Sequence, residues 1–561
     1  MTIPEPLAVA NALLGQGDIA EAETWARRAL SLEPDSIAAI NVIGVIADRG
    51  YDFITASQAF GRALACDPHN ALILGNLAGL FARFGMVEPA LRFARSILAL
   101  APTNATGLAA MAHALKGAGF IDEALAIYRK ALAIAVNAGV HSNLLFVLSY
   151  HDCTTSAELF AEYRRWEDRH ARRHYRSGRQ HANIPDPGRR PVIGYLSADF
   201  SEHPLGRILA ALLQHHDRGV VQVNGYSALH GSDDMTERCR KGCEVWRRIT
   251  GLSDAEAADR IRQDGVDILV IVGAHTAGNR LLVMAHQPAP IQVSLDDVST
   301  SGLQVMDYWI TDPALHPEDG SETSERFTER IFRLPCFFLQ PGLDDSPVVA
   351  PSPAADARSI TFGSFSNPAK LTNATIAMWA DALRRVPGSR IALKYVDWYA
   401  DRVVQGRVVA AFAAQGIERE RVVFWSGDDE RNGQLMRWNG VDIALDPFPF
   451  GGWTTTFEAL WMGVPVVTLA GERFAARVGL AVLSRLGLND LIARRKEEFG
   501  AIAAKLAADP ARLTSLRRSL RDALRSSSLC DGRLQARYFE AAYLEMWRLW
   551  CRSQASRQSS R

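Results

Sequence analysis

The spacing of apolar residues changes twice along this chain. Up to about residue 140, apolar positions recur at helical spacing; from Ser142 to Gly188 the helical pattern becomes strongly charged; from Pro191 onward, short apolar runs alternate with amphipathic segments. Short apolar runs between helical segments are typical of buried strands in parallel sheets. The pattern therefore predicts a helical first part, a helical linker and a larger α/β part.

An internal repeat organises the helical part. Pro34, Pro68 and Pro102 follow one another at intervals of 34 residues, which is the period of tetratricopeptide (TPR) repeats. In that register, small residues recur where the two helices of a repeat cross: Ala10, Gly44, Ala78 and Ala112, and then Ala22, Ala56, Ala90 and Ala124. We expect about four TPRs within residues 1–140, stacked into a short superhelix. Its concave face is either a groove that binds another protein or part of a spacer or dimerisation module.

Two sets of strand and helix patterns follow the helical linker of residues 141–188. The first set, residues 189–350, begins with PVIGYLSADF and includes VDILVIVGA and PIQVSL. The second set, residues 351–530, begins with RSITFGSF and includes SRIALKYV and RVVFWSG, and a helical tail over residues 531–561 ends the chain. Each set predicts a doubly wound parallel sheet. We therefore expect two facing Rossmann-like domains with a ligand cleft beyond the carboxyl ends of their strands.

The stretch of residues 441–470 reads as strand, glycine-rich loop, helix and second strand. Its loop contains Gly451 and Gly452, and three threonines, Thr454, Thr455 and Thr456, open its helix. Hydroxyls and free N–H groups at a helix N-terminus bind anions, aided by the helix dipole. The same residues also suit an ordinary capped helix in a Rossmann-like sheet.

Three other reactive residues follow predicted strands. His203, His275 and Lys370 come after the strands in PVIGYLSADF, VDILVIVGA and RSITFGSF. Together with the threonine loop they predict a site for nucleotide diphosphate chemistry. His203 would act as base or donor near the acceptor, and Lys370 would neutralise a departing diphosphate. Taken singly, His203 also suits a loop or capping position, and Lys370 also suits a solvated surface.

Composition narrows the function classes. Lys plus Arg and Asp plus Glu both count 62, so the net charge is zero and draws the chain to neither nucleic acid nor membrane. Seven cysteines without a CxxC pair do not indicate a disulfide framework. No run of 18 apolar residues occurs, and no basic segment precedes the first apolar stretch. We expect a cytoplasmic protein with neither nucleic acid nor membrane as partner.

The motifs, in their order after the TPRs, resemble the O-linked N-acetylglucosamine transferase and SPINDLY-like group, especially its bacterial members. They are VIGYLSADFSEHP, ILVIVGAHTAGNRLLVMAHQPAPIQV, MDYWITDP, ITFGSFSNPAKLT, VDIALDPFPFGGWTTTFEALWMGVPVVTLAGERFAARVG and LGLNDLIA. The resemblance covers nearly the whole chain. It implies a GT-B fold and inverting transfer of a GlcNAc-like sugar from a nucleotide diphosphate sugar, such as UDP-GlcNAc, to Ser or Thr of a protein docked by the TPRs. It implies neither a cofactor nor a catalytic metal.

The resemblance also implies roles for single residues. His203 matches an active-site histidine that shapes the acceptor site, and Lys370 matches the lysine that steadies the leaving diphosphate. The nucleotide sugar would lie among Asn367, Arg431, Gln434, Trp453, Thr454, Thr455 and Glu458. The sugar and acceptor would lie near His275, Thr276, Asp296 and Asp297.

This chain departs from the family around the nucleotide and the sugar. Residues 294–302 read SLDDVSTSG where many relatives have WLGYPGTSG, Gln434 replaces a histidine that stacks on uracil, and Glu458 replaces a ribose-binding aspartate. The donor therefore stays open between UDP-GlcNAc and another activated sugar, a GDP-hexose or a CMP-linked acidic sugar of the kind placed on flagellin. A non-catalytic TPR adaptor is the rival class. The acceptor, homo-oligomerisation and the effect of the altered loop on activity stay open as well.

Overall fold

The structure is a computed structural model that describes residues 5–175, 181–295, 297–320, 322–337, 339–343, 345–354, 359–427 and 431–559. Eight helices form its first part: α1 Pro6–Gln16, α2 Ile19–Leu32, α3 Ile37–Arg49, α4 Phe53–Cys66, α5 Ala71–Arg83, α6 Val87–Leu100, α7 Ala105–Ala118 and α8 Ile121–Ile134. They pack as four pairs, as the 34-residue repeat predicts. Gly44 shows why the crossing points need small residues, because a Cβ there would lie 2.4 Å from the Phe60 ring.

Two further helices join the repeats to the α/β part. They are α9 Ala138–Tyr150 and α10 Ser156–Trp166, and α10 continues into a π-helical turn, Glu167–Ala171, and a 3₁₀ turn, Arg172–His174. Thr155 and Glu158 start α10 with a capping box, which satisfies two N–H groups that the helix itself leaves unpaired.

The first α/β domain has seven parallel strands in the order β3-β2-β1-β4-β5-β6-β7. Its elements are β1 Val192–Ser197, α11 Pro204–Leu213, β2 Gln222–Ser227, α12 Asp234–Lys241, β3 Val245–Arg248, α13 Asp254–Gln263, β4 Ile268–Val272, α14 Leu281–Ala285, β5 Ile291–Leu295, β6 Tyr308–Thr311 and β7 Arg330–Arg333. Central strands such as β4, ILVIV, are buried along their whole length, as expected for a sheet covered on both faces.

The second α/β domain has six parallel strands in the order β10-β9-β8-β11-β12-β13. Its elements are β8 Thr361–Ser364, α15 Asn373–Arg385, β9 Arg390–Leu393, α16 Arg402–Ala414, β10 Val422–Phe424, α17 Arg431–Arg437, β11 Ile443–Leu445, α18 Thr454–Trp461, β12 Val466–Leu469, α19 Val478–Arg485, β13 Ile492–Ala493, α20 Lys496–Ala507 and α21 Pro510–Arg525. The last helix of the chain is α22, Gly532–Ser559.

Three strands were missed by the sequence pattern, and all three lie at sheet edges. β3 and β7 each carry two arginines, in VWRR and RIFR, and β13 is only two residues long. An edge strand is paired on one side only, so it needs neither a long apolar run nor strict alternation. Apolar patterning therefore finds the buried strands and passes over these.

Helix α22 does not extend away from the molecule but packs against the first α/β domain. The Tyr543 hydroxyl lies 2.9 Å from that of Tyr195 in β1, and Glu540 accepts a hydrogen bond from the Asp217 N–H at 2.7 Å. Trp547 Nε1 donates to the Asp186 carbonyl at 3.0 Å. The end of the chain thus returns from the second domain to the first.

The helical repeats contact both α/β domains. Arg248 donates to the Gly17 carbonyl at 2.7 Å, and the Glu88 N–H donates to the Asp401 carboxylate at 2.9 Å. The predicted fold class, a TPR superhelix followed by two facing Rossmann-like domains in the GT-B arrangement, is confirmed. None of the helices in the described part of the chain combines the length and apolar character that crossing a membrane requires.

Candidate active site

The glycine-rich loop between β11 and α18 is organised by one buried carboxylate. Asp446 directly follows β11 and is 4% exposed. Its Oδ1 accepts hydrogen bonds from the Gly452 N–H at 2.7 Å and the Thr456 hydroxyl at 3.1 Å, and its Oδ2 accepts from the Thr468 hydroxyl at 2.7 Å. Burial raises the pKa of Asp446, while these donors and the nearby Lys370 oppose the rise. The loop is therefore tied to the end of its own strand.

The N-terminus of α18 lies at the end of this loop, where the Thr455 N–H and hydroxyl both donate to the Gly452 carbonyl, at 3.0 Å and 2.7 Å. Trp453 is the N-cap residue, with φ 47° and ψ −108°, and it makes no side-chain capping hydrogen bond in the described structure. The first N–H groups of a helix have no intrahelical partners. A non-glycine residue held at positive φ is uncommon and points to a constrained loop. Trp453 lacks a side-chain cap among the described residues, and the anion-site interpretation of the threonine loop stays a prediction.

Lys370 lies directly over the glycine loop. Its Nζ donates to the Gly451 carbonyl at 2.6 Å and sits 4.2 Å from the centre of the Phe450 ring. Burial lowers the pKa of Lys370 to about 7, against the opposing charge of Asp446. The predicted lysine and the predicted phosphate loop are thus in direct contact.

Asn367 positions the turn that carries Lys370. Its side chain accepts a hydrogen bond from the Ala369 N–H at 2.9 Å and caps the 3₁₀ turn Pro368–Lys370. A small cavity lies next to this region. It is lined by Ser364, Phe365, Ser366, Trp438, Ala444, Leu445, Asp446, Thr455, Thr456 and Val466.

Two residues that replace family residues at the nucleotide are in contact with each other. The Gln434 amide donates to the Glu458 carboxylate at 3.3 Å, and Glu458 is 5% exposed. Glu458 also raises the pKa of the neighbouring Tyr395, for which burial is the larger cause. Arg431 begins α17, and its side chain lies outside the described part of the chain. The structure therefore brings Gln434 and Glu458 together, and their role at the nucleotide stays a prediction.

His203 is the N-cap residue of α11, as the capping interpretation holds, and it is also paired with a carboxylate. Its Nδ1 accepts a hydrogen bond from the Leu205 N–H at 3.3 Å and lies 3.7 Å from Asp199 Oδ1. Burial lowers the pKa of His203, and the negative charge of Asp199 opposes that shift. A neutral ring whose Nδ1 accepts carries its proton on Nε2. The half-exposed side chain therefore presents an N–H donor.

Asp199 was missed as a site residue. It follows β1 as Asp446 follows β11, and its carboxylate accepts from Thr276 at 3.4 Å and from Asn279 at 3.5 Å. Burial raises its pKa, with His203 opposing. An aspartate directly after a buried strand is the signal that identifies both carboxylates, because parallel strands deliver such residues to one edge of the sheet.

His275 lies inside the molecule and joins three segments. Its Nε2 donates to the Ser301 carbonyl at 2.9 Å, and its Nδ1 accepts from the Ser142 hydroxyl, 3.1 Å away. The side chain is 3% exposed, and burial lowers its pKa to about 4. Thr276 next to it donates to the Gly273 carbonyl at 2.7 Å. His275 thus helps to position Ser301 of the altered segment and is enclosed by protein.

The altered loop is held by two glutamates. Ser299 donates to Glu325 at 2.8 Å, Thr300 donates to Glu329 at 2.5 Å, and the Ser301 N–H donates to Glu329 at 2.8 Å. Hydrogen bonds to carboxylates are stronger than those between neutral groups. The loop is therefore firmly built in spite of its departure from the family sequence.

The two predicted aspartates of this loop have different outcomes. Asp296 lies outside the described residues. Asp297 is fully buried and accepts a hydrogen bond from the Val298 N–H at 2.8 Å. Its carboxylate therefore faces protein, and the prediction that it contacts sugar or acceptor gains no support from its position.

One cluster of metal-binding residue types occurs in the described part of the chain. The ligand atoms of His151, Asp152 and Cys153 lie within 4.8 Å of one another. His151 already pairs with Asp122 at 3.0 Å, and Asp152 accepts from the Ala374 N–H at 3.2 Å. These contacts give the cluster a structural role at the linker, outside the site around Lys370.

The sequence and the fold are similar to those of known proteins. The family model described as glycosyl transferase family 41 matches residues 141–341 and 354–539. The probable UDP-N-acetylglucosamine–peptide N-acetylglucosaminyltransferase SPINDLY of Arabidopsis thaliana is 37% identical over 426 residues, which are 74% of this chain and 46% of that protein. The corresponding SEC protein of the same plant is 30% identical over 375 residues, 64% of this chain and 38% of that protein. The chain thus spans less than half the length of these curated relatives.

A solved structure matches over nearly the whole chain. A lysine-to-methionine mutant of the O-GlcNAc transferase from Thermobaculum terrenum superimposes with a TM-score of 0.86 at 33% sequence identity. The match covers 92% of this chain and 98% of that one. The similarity therefore includes the helical repeats as well as both α/β domains.

Proposed function

The chain belongs to glycosyl transferase family 41, and on that premise we propose that it transfers a sugar from a nucleotide diphosphate sugar to a protein. The observation that carries this proposal is the contact of Lys370 with Gly451, because it places a cation beside the uncapped start of α18. A cation beside the positive end of a helix dipole suits the two phosphates of such a donor.

In the proposed reaction the acceptor oxygen bonds to the anomeric carbon while the bond from that carbon to the diphosphate oxygen breaks. The proton of the acceptor hydroxyl passes to an oxygen of the departing nucleoside diphosphate. Lys370 and the N-terminus of α18 stabilise the negative charge that develops on the leaving oxygen. The neutral His203 donates its Nε2–H to the acceptor side, and the hydrogen bond from the Leu205 N–H to Nδ1 orients the ring. Direct attack by the acceptor inverts the anomeric configuration. We propose Ser or Thr of a protein as the acceptor, presented by the TPR groove.

The donor is proposed to be UDP-GlcNAc, because the names of the Arabidopsis relatives specify that substrate. A second candidate is a GDP-hexose or a CMP-linked acidic sugar. It is favoured by the Gln434–Glu458 contact, since these two residues stand where relatives have a uracil-stacking histidine and a ribose-binding aspartate. The Gln434–Glu458 pair is therefore the place where the two candidates differ.

Calorimetric binding of UDP, GDP and CMP to the full chain tests the proposal. We expect one nucleotide to bind at least about tenfold more tightly than the others, which corresponds to roughly 1.4 kcal/mol. Mass spectrometry of the host's proteins with and without the gene then identifies the added mass and its carrier. A chain that binds none of the three nucleotides would be a TPR adaptor and would refute the transferase proposal.

A further inference from the structure

We propose that Arg407 is a positioning residue for Lys370, and that the turn after α7 in the fourth TPR holds Arg407 in place. This inference rests on the proposed function, because the role of Lys370 in diphosphate departure gives its position importance. It assigns the repeats a part in building the donor site, in addition to any part in binding a protein.

The guanidinium of Arg407 spans the turn that carries Lys370. Arg407 projects from α16, and its Nη1 donates to the Leu371 carbonyl at 3.0 Å while its Nη2 donates to the Pro368 carbonyl at 3.2 Å. These two carbonyls flank Lys370 in the sequence. A planar fork that bonds both ends of a short turn fixes its orientation more firmly than either bond alone.

The TPR side of this contact has no spare room. Gly119 ends α7 with φ 83°, and a Cβ there would lie 2.5 Å from Arg407 Nη2 and 2.7 Å from the Pro368 carbonyl oxygen. Arg407 cannot move away from Gly119 without losing its hydrogen bonds to the two carbonyl groups. The Pro368 oxygen cannot move away easily either, because it belongs to the backbone. The turn of the repeat thus closes directly on the base of the Lys370 turn.

Trp398 and Asp401 of the second α/β domain form further contacts with the repeats. Trp398 inserts between two turns of the repeats, where a Cβ on Gly85 would lie 2.3 Å and a Cβ on Gly117 would lie 2.9 Å from the indole. The Asp401 carboxylate accepts from the Glu88 N–H at 2.9 Å. These contacts hold the repeats in one position relative to Arg407.

The matched variants are Gly119→Ala and Gly416→Ala. Both glycines have positive φ, 83° at Gly119 and 75° at Gly416, so alanine carries the same backbone strain at both. Only Gly119 has atoms in the way, because nothing lies within 4 Å of a Cβ at Gly416, just after α16. Arg407→Lys is the second test variant, since a lysine can bond one of the two carbonyls.

The measurement is the pH dependence of Lys370 labelling by an amine-reactive ester, mapped by mass spectrometry on the full chain without nucleotide. In the parent protein we expect half-maximal labelling near pH 7, as burial dictates. Gly119→Ala and Arg407→Lys should shift that midpoint upward by about one pH unit or more, because the displaced amine becomes hydrated. Gly416→Ala should leave it unchanged.

Hydrolysis of the nucleotide sugar, with water in place of the protein acceptor, supplies the second readout. Displacement of a catalytic group by about 1 Å can cost up to 10²-fold in rate, so we expect kcat to fall at least about tenfold in Gly119→Ala with a smaller change in KM. An unchanged midpoint in both test variants would overturn the proposal, and so would their complete unfolding at 25 °C, which would mark the contact as structural only. If the parent protein binds no nucleotide, the proposed function fails while labelling still decides whether Arg407 positions Lys370.

Discussion

Lys370 Nζ donates a hydrogen bond to the Gly451 carbonyl at 2.6 Å. The lysine that follows β8 is therefore in contact with the glycine-rich loop that follows β11. If this contact marks the diphosphate position, Lys370→Met should abolish transfer, with a loss of at least about 10²-fold in kcat and little change in denaturation temperature. Lys505→Met, at an exposed position of α20, is the matched control. Normal turnover in Lys370→Met would refute the assignment.

The lowered pKa of Lys370 predicts proton uptake on nucleotide binding. With a pKa of about 7, the amine is largely neutral at pH 8 in the empty site, and a bound diphosphate favours its charged form. Calorimetry at pH 8 in two buffers of different ionisation enthalpy should show nearly one proton taken up per diphosphate bound. The uptake should shrink toward pH 6 and vanish in Lys370→Met. Equal heats in both buffers would contradict the prediction.

Asp446 should control the shape of the phosphate loop. Asp446→Asn replaces one accepting oxygen by a donor, so at least one of the partners Gly452, Thr456 and Thr468 loses its bond. An unpaired buried group costs about 1–3 kcal/mol. We expect a lower denaturation temperature and nucleotide affinity weaker by about tenfold or more. Asp522→Asn, whose parent side chain is 81% exposed, should match the parent protein in both measurements.

The Gln434–Glu458 pair should act on the nucleoside and not on the phosphates. Glu458→Gln removes the carboxylate that accepts from Gln434 at 3.3 Å. We expect affinity for the preferred nucleoside diphosphate to fall by about tenfold, the value of one hydrogen bond to a charged group. Inorganic pyrophosphate carries no base or ribose, so its affinity should stay the same. An equal loss for both probes would place Glu458 at the phosphates instead.

Burial of His275 predicts sensitivity to acid. Its pKa is about 4 in the folded chain, against 6.5 for a histidine free of such burial, so the unfolded chain binds more protons between these values. The contribution of the neutral His275 to the free energy of unfolding is fully present above pH 6.5. It decreases by about 1.4 kcal/mol per pH unit as the pH falls toward 4. His170 adds to the same loss, because burial also lowers its pKa to about 4.

Denaturation temperatures measured between pH 7 and pH 4 check this prediction. His275→Gln should be less stable at pH 7, because the ring fills its site and bonds Ser301 and Ser142. Its further loss on acidification should be smaller than that of the parent protein. Parallel curves for the two proteins would show that His275 does not titrate on unfolding.

The sequence predicted the fold class and the buried strands because both depend on repeat period and apolar patterning. It also predicted the loop around Gly451 and its partner Lys370, since strand ends in such folds gather polar residues. It did not predict Asp199 and Asp446 as site residues. The role of a buried carboxylate depends on which N–H and hydroxyl groups the fold brings within hydrogen-bond distance of it. Asp297 shows the opposite case, an acidic residue that looks site-directed in sequence and is buried in the fold.

Arg407 lay beyond prediction for a related reason. Its bonds to Pro368 and Leu371 join residues separated by 39 and 36 positions, and Gly119 approaches it from a third segment. No local pattern of charge or spacing marks such a convergence. The role of an arginine inside a helix depends on which neighbours folding brings to it.

Because α22 packs against the first α/β domain, cleaving the chain at one point between the two α/β domains would not yield two intact domains. A break after residue 530 would remove the helix that covers Tyr195 and pairs with Asp217, and would expose apolar surface of the first domain to water. A functional first half therefore requires the last thirty or so residues to be supplied alongside it. Split versions of the enzyme should reassemble only when that helix travels with the N-terminal piece or is added in trans.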